Sequence, residues 1–385
     1  MDAYKRHQRI WRSLYVILRP WISRKFNLSH EDLHVDGPVL LISNHVTTWD
    51  PLLVAMSLRE KQVYYVASEH IFRLGFVTKL LDWTVAPIAR RKGSVGTDTV
   101  KACLRHLRDG RSVCIFAEGE QTWDGLSQKI FPATGKLAKT SGASLVTFRL
   151  EGGYLSLPRW GRGVRRGRMY CHPVNIYSPE QLRAMSPAEI NDAINRDIFE
   201  DAWQRQAADP VAFRGKKRAE GMERTLYLCP GCRKIGTLQT KNDRLFCSCG
   251  LDLCYTETGF FEPDTPFRTI AEWEAWQKNE LLTLFGNTSG FLFSDDDTVL
   301  KKIGTDHGEE ELERGELRLY DDRLCCGSQA FPLHEISSMA IVKDSILLFS
   351  SQDIYYEIRT MKSSNLRKYL EIWKEKQHGL LSRKP

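Results

Sequence analysis

Between residues 33 and 176 the chain alternates short apolar runs with longer helical ones, and this alternation limits its possible folds more than any other feature. Runs at 39–43, 63–67, 113–116, 145–150 and 168–174 have the length and apolar character of strands. Segments 51–58, 75–81, 97–109 and 135–141 read as helices. Such alternation predicts an α/β layered domain with a largely parallel sheet, extending over residues 31–210.

The first strand-to-helix junction carries the run S-N-H-V-T-T-W-D-P, Ser43 to Pro51, in which Asp50 follows His45 by five residues. Gly37-Pro38 precedes the apolar run, and proline after Asp50 pushes that residue away from the α region. Proline suits the first helical position and aspartate the cap before it, so the sequence predicts a helix from Pro51 capped by Asp50. His45 then sits in the loop. A base there can take a proton from a hydroxyl, and a nearby carboxylate can hold its tautomer. The plain alternative is a cap aspartate with an incidental loop histidine.

Two further runs follow. Pro87-Ile88-Ala89-Arg90-Arg91-Lys92-Gly93 places three cations after a strand-like approach, where an arginine fork can grip phosphate or simply line a solvated loop. Ile115-Phe116-Ala117-Glu118-Gly119-Glu120 ends a strand with a glycine that lets a substrate approach the backbone. An ordinary turn with a solvated acid is the alternative.

In this order and spacing the three runs resemble the glycerolipid acyltransferase family, which includes the 1-acylglycerol-3-phosphate acyltransferases. That family carries N-H-x-x-x-x-D, then an arginine after a short apolar run, then F-P-E-G-x-R-S. The first block is complete in Asn44, His45 and Asp50; Arg90 matches the second, with Arg91 as a competing register. In the third block Phe116, Glu118 and Gly119 match, whereas Ala117 replaces proline, Gln121 arginine and Thr122 serine. A later V-P-[IVL] element appears as Val146-Thr147-Phe148, without the proline. The resemblance covers residues 33–174. It implies that His45 deprotonates the acceptor hydroxyl while Asp50 orients the imidazole, with direct attack on an acyl thioester. It also implies that Arg90 binds acceptor phosphate and that Glu118 and Gly119 line the glycerol site. The donor would be acyl-CoA or acyl carrier protein. The acceptor would be a lysophospholipid, foremost 1-acylglycerol-3-phosphate giving phosphatidic acid. Gln121 keeps open a different lysolipid acceptor, such as an ornithine- or sugar-based one.

Cys229-Pro230-Gly231-Cys232 and Cys247-Ser248-Cys249-Gly250 stand fourteen residues apart, counting between Cys232 and Cys247. Two turns, each presenting two thiolates, can close a tetrahedral structural Zn2+ site, and four thiolates leave no open position for catalysis. A zinc ribbon over 222–262 is the expectation, and it favours a reducing interior.

Flanking segments complete the organisation. Residues 1–30 mix Lys5, Arg6, Arg9, Arg12, Arg19, Arg24 and Lys25 with Ile10, Trp11, Leu14, Tyr15, Ile17, Leu18, Trp21 and Ile22. Such a segment suits an amphipathic helix lying on an anionic membrane, kinked or divided at Pro20. Packing on its own domain is the alternative. Helices are expected at 187–205 and 269–285. Residues 290–378 change to short strands at 315–320, 329–333, 336–342, 345–349 and 354–359. A closing amphipathic helix, capped by Ser363 or Ser364, completes a small barrel of pleckstrin-homology (PH) or GRAM type by fold analogy. Pro332 demotes the second of those strands to an edge.

A net charge of +7 suits an anionic partner: phospholipid headgroups, phosphorylated substrates, coenzyme A or nucleic acid. No run approaches the roughly eighteen apolar residues of a membrane span, and no secretory signal pattern is seen. Taken with the resemblance, which implies an acyltransferase of phospholipid biosynthesis, these features predict a cytoplasmic protein peripheral on the cytoplasmic face of the membrane. The runner-up is a nucleic-acid-binding zinc-ribbon protein with a degenerate acyltransferase domain. A basic stretch, Arg159 to Arg168, could hold lipid or coenzyme phosphate or be a solvated loop.

Overall fold

The structure is a computed structural model and describes residues 3–68, 72, 76–90, 96–286, 288–304, 308–361 and 365–381. The alternate register at Arg91, and the cap at Ser363 or Ser364, lie outside these residues.

The alternating segment forms a seven-stranded sheet: β1 (Leu28–His30), β2 (Val39–Ser43), β3 (Val63–Ser68), β4 (Ile88–Arg90), β5 (Ser112–Ile115), β6 (Ser144–Glu151) and β7 (Met169–Tyr177). Its order is β1-β7-β6-β2-β5-β3-β4. Among the described residues, neighbours run parallel except β6 and β7. The central strand β2 is buried at all five positions, as expected of an uninterrupted apolar run covered on both faces. Helices α1 (Ala3–Phe26), α2 (Asp50–Ala55), α3 (Phe76–Thr84), α4 (Thr97–Arg108) and α5 (Ala133–Thr140) accompany it. The carboxyl ends of β2, β4 and β5 point the same way, toward the edge where open α/β sheets bind ligands.

Pro20 does not divide the first helix, which runs unbroken through it. Both halves pack on one core: Trp11 Nε1 donates to Leu58 O (2.8 Å), Tyr15 OH to Met56 O (3.0 Å), and Ile22 and Phe26 are fully buried. Tertiary packing outweighs the one helical hydrogen bond that proline removes. The opposite face leaves Val16 and Ile17 about 70% exposed (72% and 69%) and Trp21 48% exposed. The helix therefore packs on its own domain along one face and leaves these apolar side chains exposed on the other.

The helix expected at 187–205 is two, Pro187–Ile198 and Ala202–Ala208. Asp201 interrupts it by accepting hydrogen bonds from the backbone N–H groups of Trp203 and Gln204. The expected helix at 269–285 is present as Ile270–Phe285, with Thr269 and Glu272 forming a reciprocal capping box.

A four-stranded antiparallel sheet follows the α/β domain: β8 (Leu238–Lys241), β9 (Arg244–Cys247), β10 (Asp252–Tyr255) and β11 (Phe261–Glu262). The last sheet has seven antiparallel strands: β12 (Phe291–Ile303), β13 (Glu309–Tyr320), β14 (Arg323–Cys326), β15 (Gln329–Pro332), β16 (Ile336–Val342), β17 (Ile346–Ser351) and β18 (Ile354–Thr360). Its order is β15-β14-β13-β12-β18-β17-β16, so Pro332 does lie on an edge strand. The sequence reading missed β12, β14 and the first half of β13. Their charged residues, Asp295 to Asp297 and Glu309 to Glu311, hide the strand period, which bulges also interrupt. The helix Arg367–Leu381 closes this part, with Tyr369 OH donating to Asp295 (2.7 Å) or Leu317 O (3.0 Å).

These parts are packed together rather than strung out. Tyr154, Leu155, Trp160 and Trp203 of the first part share a core with Cys229, Tyr255, Phe261 and Trp273. Trp123 belongs to the core of the last sheet. Arg159 lies over its ring at 3.8 Å and Arg367 at 4.9 Å.

Candidate active site

The loop after β2 is organised by the Asp50 carboxylate, which is fully buried. Its Oδ2 accepts from Val46 N–H (2.7 Å) and faces His45 Nδ1 at 2.7 Å. Its Oδ1 accepts from Thr47 N–H (2.9 Å) and Thr47 Oγ1–H (2.7 Å). Asp50 is therefore the first residue of α2 rather than its cap, and Trp49 in the cap position makes no side-chain cap bond. The carboxylate turns back to satisfy loop donors that would otherwise be buried without partners. With Nδ1–H given to Asp50, His45 presents Nε2 as its basic nitrogen. The imidazole is 20% exposed and stacks on Phe116 at 4.6 Å.

The third motif holds the histidine from behind. Glu118 Oε1 accepts from His45 N–H (2.8 Å), Glu118 Oε2 accepts from Gln128 N–H (2.6 Å), and Thr122 N–H donates to His45 O (2.9 Å). Burial raises the Glu118 carboxyl to about 8, against the lowering pull of those two amides. Both oxygens accept from backbone N–H groups, and Glu118 is not among the cavity-lining residues, so the contacts observed for this carboxylate are with the loops around His45. Asn44 likewise pairs with the Leu150 backbone, donating to its O (2.9 Å) and accepting from its N–H (2.8 Å).

His45 opens onto a cavity of about 310 Å³ that Thr48, Tyr65, Arg90, Phe116, Gly119, Glu120 and Gln121 help to line. Arg90 ends β4, and its guanidinium lies over the Phe131 ring at 4.5 Å, where burial lowers its pKa. Gly119 has φ +84°, and a Cβ there would come within 2.3 Å of Phe131. A side chain at this position would disturb the aromatic floor beside Arg90. A second cavity of about 400 Å³, apolar along Val100, Cys103, Ala117, Phe131 and Leu137, shares Val66, Arg90 and Ile115 with the first.

Residues 25–151 match the family model described as Acyltransferase. This segment is an acyltransferase-family domain. Over 134 residues the chain is 26% identical to the chloroplastic 1-acyl-sn-glycerol-3-phosphate acyltransferase LPAT1 of Arabidopsis thaliana, covering 34% of this chain. The chain spans 36% of that relative's length. Among solved structures, the 1-acyl-sn-glycerophosphate acyltransferase PlsC from Thermotoga maritima aligns with a TM-score of 0.40 and 12% identity, over 49% of this chain and 76% of that one.

All five expected residues of the acyltransferase domain's site thus fall at one end of its sheet: His45, Arg90 and Gly119 on the cavity wall, Asp50 and Glu118 buried behind it. Arg159, which the sequence offered as a phosphate ligand or part of a solvated loop, makes other contacts. Its Nη1 donates to Glu120 (3.1 Å), its Nη2 to Ile341 O (2.7 Å) and its Nε to Lys343 O (2.9 Å). Burial lowers its pKa to about 10. Arg165 is also buried, against Trp160 and Tyr255, and donates to Arg218 O (2.5 Å). Neither phosphate binding nor a solvated loop describes these two arginines, which tie parts of the chain together. Carbonyls distant in sequence are among their partners, so local pattern flagged the basic stretch but gave no sign of these contacts.

The four cysteines converge as well. Their sulfurs lie within 4.8 Å of one another, with Cys229–Cys249 at 3.6 Å and Cys232–Cys247 at 3.8 Å. Zn–S bonds of about 2.3 Å give a tetrahedron with edges of roughly 3.8 Å, so this donor set fits such an ion. Gly231 belongs there, since a Cβ would stand 3.1 Å from Cys249 Sγ. Cys254 and the Cys325–Cys326 pair are not part of the group.

Proposed function

We propose that the chain is a membrane-peripheral O-acyltransferase that moves a fatty acyl group from acyl-CoA or acyl carrier protein to the free hydroxyl of a lysophospholipid, foremost 1-acylglycerol-3-phosphate. The buried Asp50 carboxylate 2.7 Å from His45 Nδ1, on a cavity that also holds Arg90, carries this reading.

The residues support a direct mechanism. His45 Nε2 takes the hydroxyl proton as the oxygen attacks the thioester carbonyl carbon, and Asp50 stabilises the imidazolium that forms. The tetrahedral adduct collapses, the C–S bond breaks, and the thiolate takes the proton from His45 to leave as free thiol. Arg90 pairs with the acceptor phosphate, and Gly119 leaves the cavity floor open. The adjoining apolar cavity suits an acyl chain.

We assign the four cysteines a structural Zn2+ in a ribbon over 222–262, and residues 290–378 a PH/GRAM-like module. Two successive antiparallel meanders joined through their first and last strands, and closed by a helix, support the latter. Val16, Ile17 and Trp21 on α1, among its basic residues, form the face offered to an anionic membrane, the cytoplasmic leaflet in this reading. Among the described residues no helix is long and apolar enough to cross a membrane. The nucleic-acid reading loses ground because Arg159 and Arg165 are buried.

The test is thiol release from acyl-CoA and from acyl carrier protein across a panel of lysolipid acceptors, including ornithine- and sugar-based ones. His45→Ala should abolish release while the protein stays folded. A folded His45→Ala protein with near-normal turnover would refute the assignment.

A further inference from the structure

The last β-sheet reaches into the cavity beside His45. Val342 and Lys343, at the turn between β16 and β17, line the same cavity as Arg90, Gly119 and Gln121. The turn is held from two sides. Arg159 donates to the carbonyls of Ile341 and Lys343, and Arg224 pairs with the Asp344 carboxylate. Pairing of Val342 with Ile346 closes it, and Lys343 has φ +56°. The backbone at this position is therefore fixed by neighbours rather than by its own short loop.

The charge balance of the cavity gives the turn a purpose. Its lining includes three basic side chains, Arg90, Arg159 and Lys343. Arg159 has its donors committed to Glu120 and to carbonyls. Glu120, the carboxylate on the wall, lies against Arg159, and Asp344 is held by Arg224. Among the described residues the Lys343 ammonium forms no ion pair with a carboxylate, and its side chain is exposed. Position 121 offers glutamine, which carries no charge.

We propose that Lys343 is a specificity-determining residue of the acceptor site: its ammonium pairs with the phosphomonoester of a lysophospholipid opposite Arg90. A module outside the acyltransferase domain would thereby supply the cation that position 121 lacks. This inference rests on the acyltransferase reading. An ammonium is a point charge without fork geometry, so arginine should serve in its place and neutral or acidic residues should not.

The experiment uses the full chain, acyl-CoA, and two acceptors presented in mixed micelles: 1-acylglycerol-3-phosphate and 1-monoacylglycerol. Lys343→Gln should raise KM for the phosphorylated acceptor about tenfold and Lys343→Glu more, with kcat within about threefold. Lys343→Arg should stay near wild type. KM for monoacylglycerol and for acyl-CoA should not move. An unchanged KM for the phosphorylated acceptor in Lys343→Glu overturns the proposal while His45-dependent transfer still stands. A rise confined to acyl-CoA also overturns it, since Lys343 would then serve the donor's phosphates. Absence of any His45-dependent transfer in the wild type removes the acyltransferase reading itself and this inference with it.

Discussion

Replacing Asp50 by asparagine separates the charge of the dyad from its shape. The carboxylate accepts from four donors, His45 Nδ1–H, Val46 N–H, Thr47 N–H and Thr47 Oγ1–H, at 2.7 to 2.9 Å with no solvent exposure. Asparagine keeps one acceptor oxygen and turns an NH2 toward donors that need an acceptor. The bonds that remain change from charge-assisted to neutral. Such bonds contribute about 1.5–3 and 0.5–1.5 kcal/mol respectively, so with two bonds weakened and two lost stability should fall by about 5 kcal/mol or more. Turnover should fall further, on the order of 10³- to 10⁴-fold, because no negative charge faces the imidazolium and the Nδ1–H tautomer loses its preference. Thiol release at saturating acceptor reads the rate, and denaturant unfolding reads the stability. Thr47→Val is the control: it removes one donor to Oδ1 and the acceptor of Trp49 N–H, keeps the charge, and should cost about 2 kcal/mol while leaving the rate within about threefold. A folded Asp50→Asn protein within tenfold of wild type would refute the charge argument. An equal loss of rate in Thr47→Val would trace the effect to loop distortion.

Glu118 gives a pH dependence of known sign. Burial holds its carboxyl at about 8 in the folded chain, above the ordinary 4.5, so between these values the folded state binds a proton that the unfolded state has lost. Its contribution to stability is full below pH 4.5 and declines as pH rises toward 8, by a few kcal/mol. Glu118→Gln should flatten that slope in urea unfolding between pH 5 and 8, and an unchanged slope would disprove the cause. Metal analysis of the purified chain should find one zinc per chain, absent in Cys229→Ser/Cys249→Ser, and a strong chelator should lower the melting temperature; native protein without metal would contradict the ribbon. Ile17→Glu with Trp21→Glu should weaken sedimentation with anionic vesicles at least fivefold without altering thiol release from soluble short-chain acceptors, as roughly 1 kcal/mol or more of apolar insertion is lost. Unchanged sedimentation would move the membrane contact elsewhere.

Much of the α/β domain was legible in its residues. Val39 to Ser43 is an unbroken apolar run because β2 is covered on both faces, and burial of that kind writes itself directly into composition. The cysteine pairs were legible because a metal needs four donors and short spacings deliver two at a time. Other features were not. Pro20 reads as a break, yet Tyr15, Ile22 and Phe26 bind both halves of α1 to one core. The charged strand β12 resists a periodic reading because its pairing partners, β13 and β18, decide its conformation. Asp50 has the sequence of a cap, but its carboxylate turns to loop amides that only the folded loop presents.

The sequence alone determined the order of motifs, and so which residues could meet at the carboxyl ends of parallel strands: His45 and Asp50, then Arg90, then Glu118 and Gly119. It did so because strand and helix periods, turn residues and metal spacings are local properties. Only the tertiary structure decided which contacts each residue makes there. Glu118 turned from the cavity to hold the His45 backbone, and Arg159 turned from an apparent phosphate ligand into a clamp on the last sheet. Lys343 arrived beside a histidine almost three hundred positions away. Contacts of that range depend on the packing of whole sheets, which no window of sequence contains.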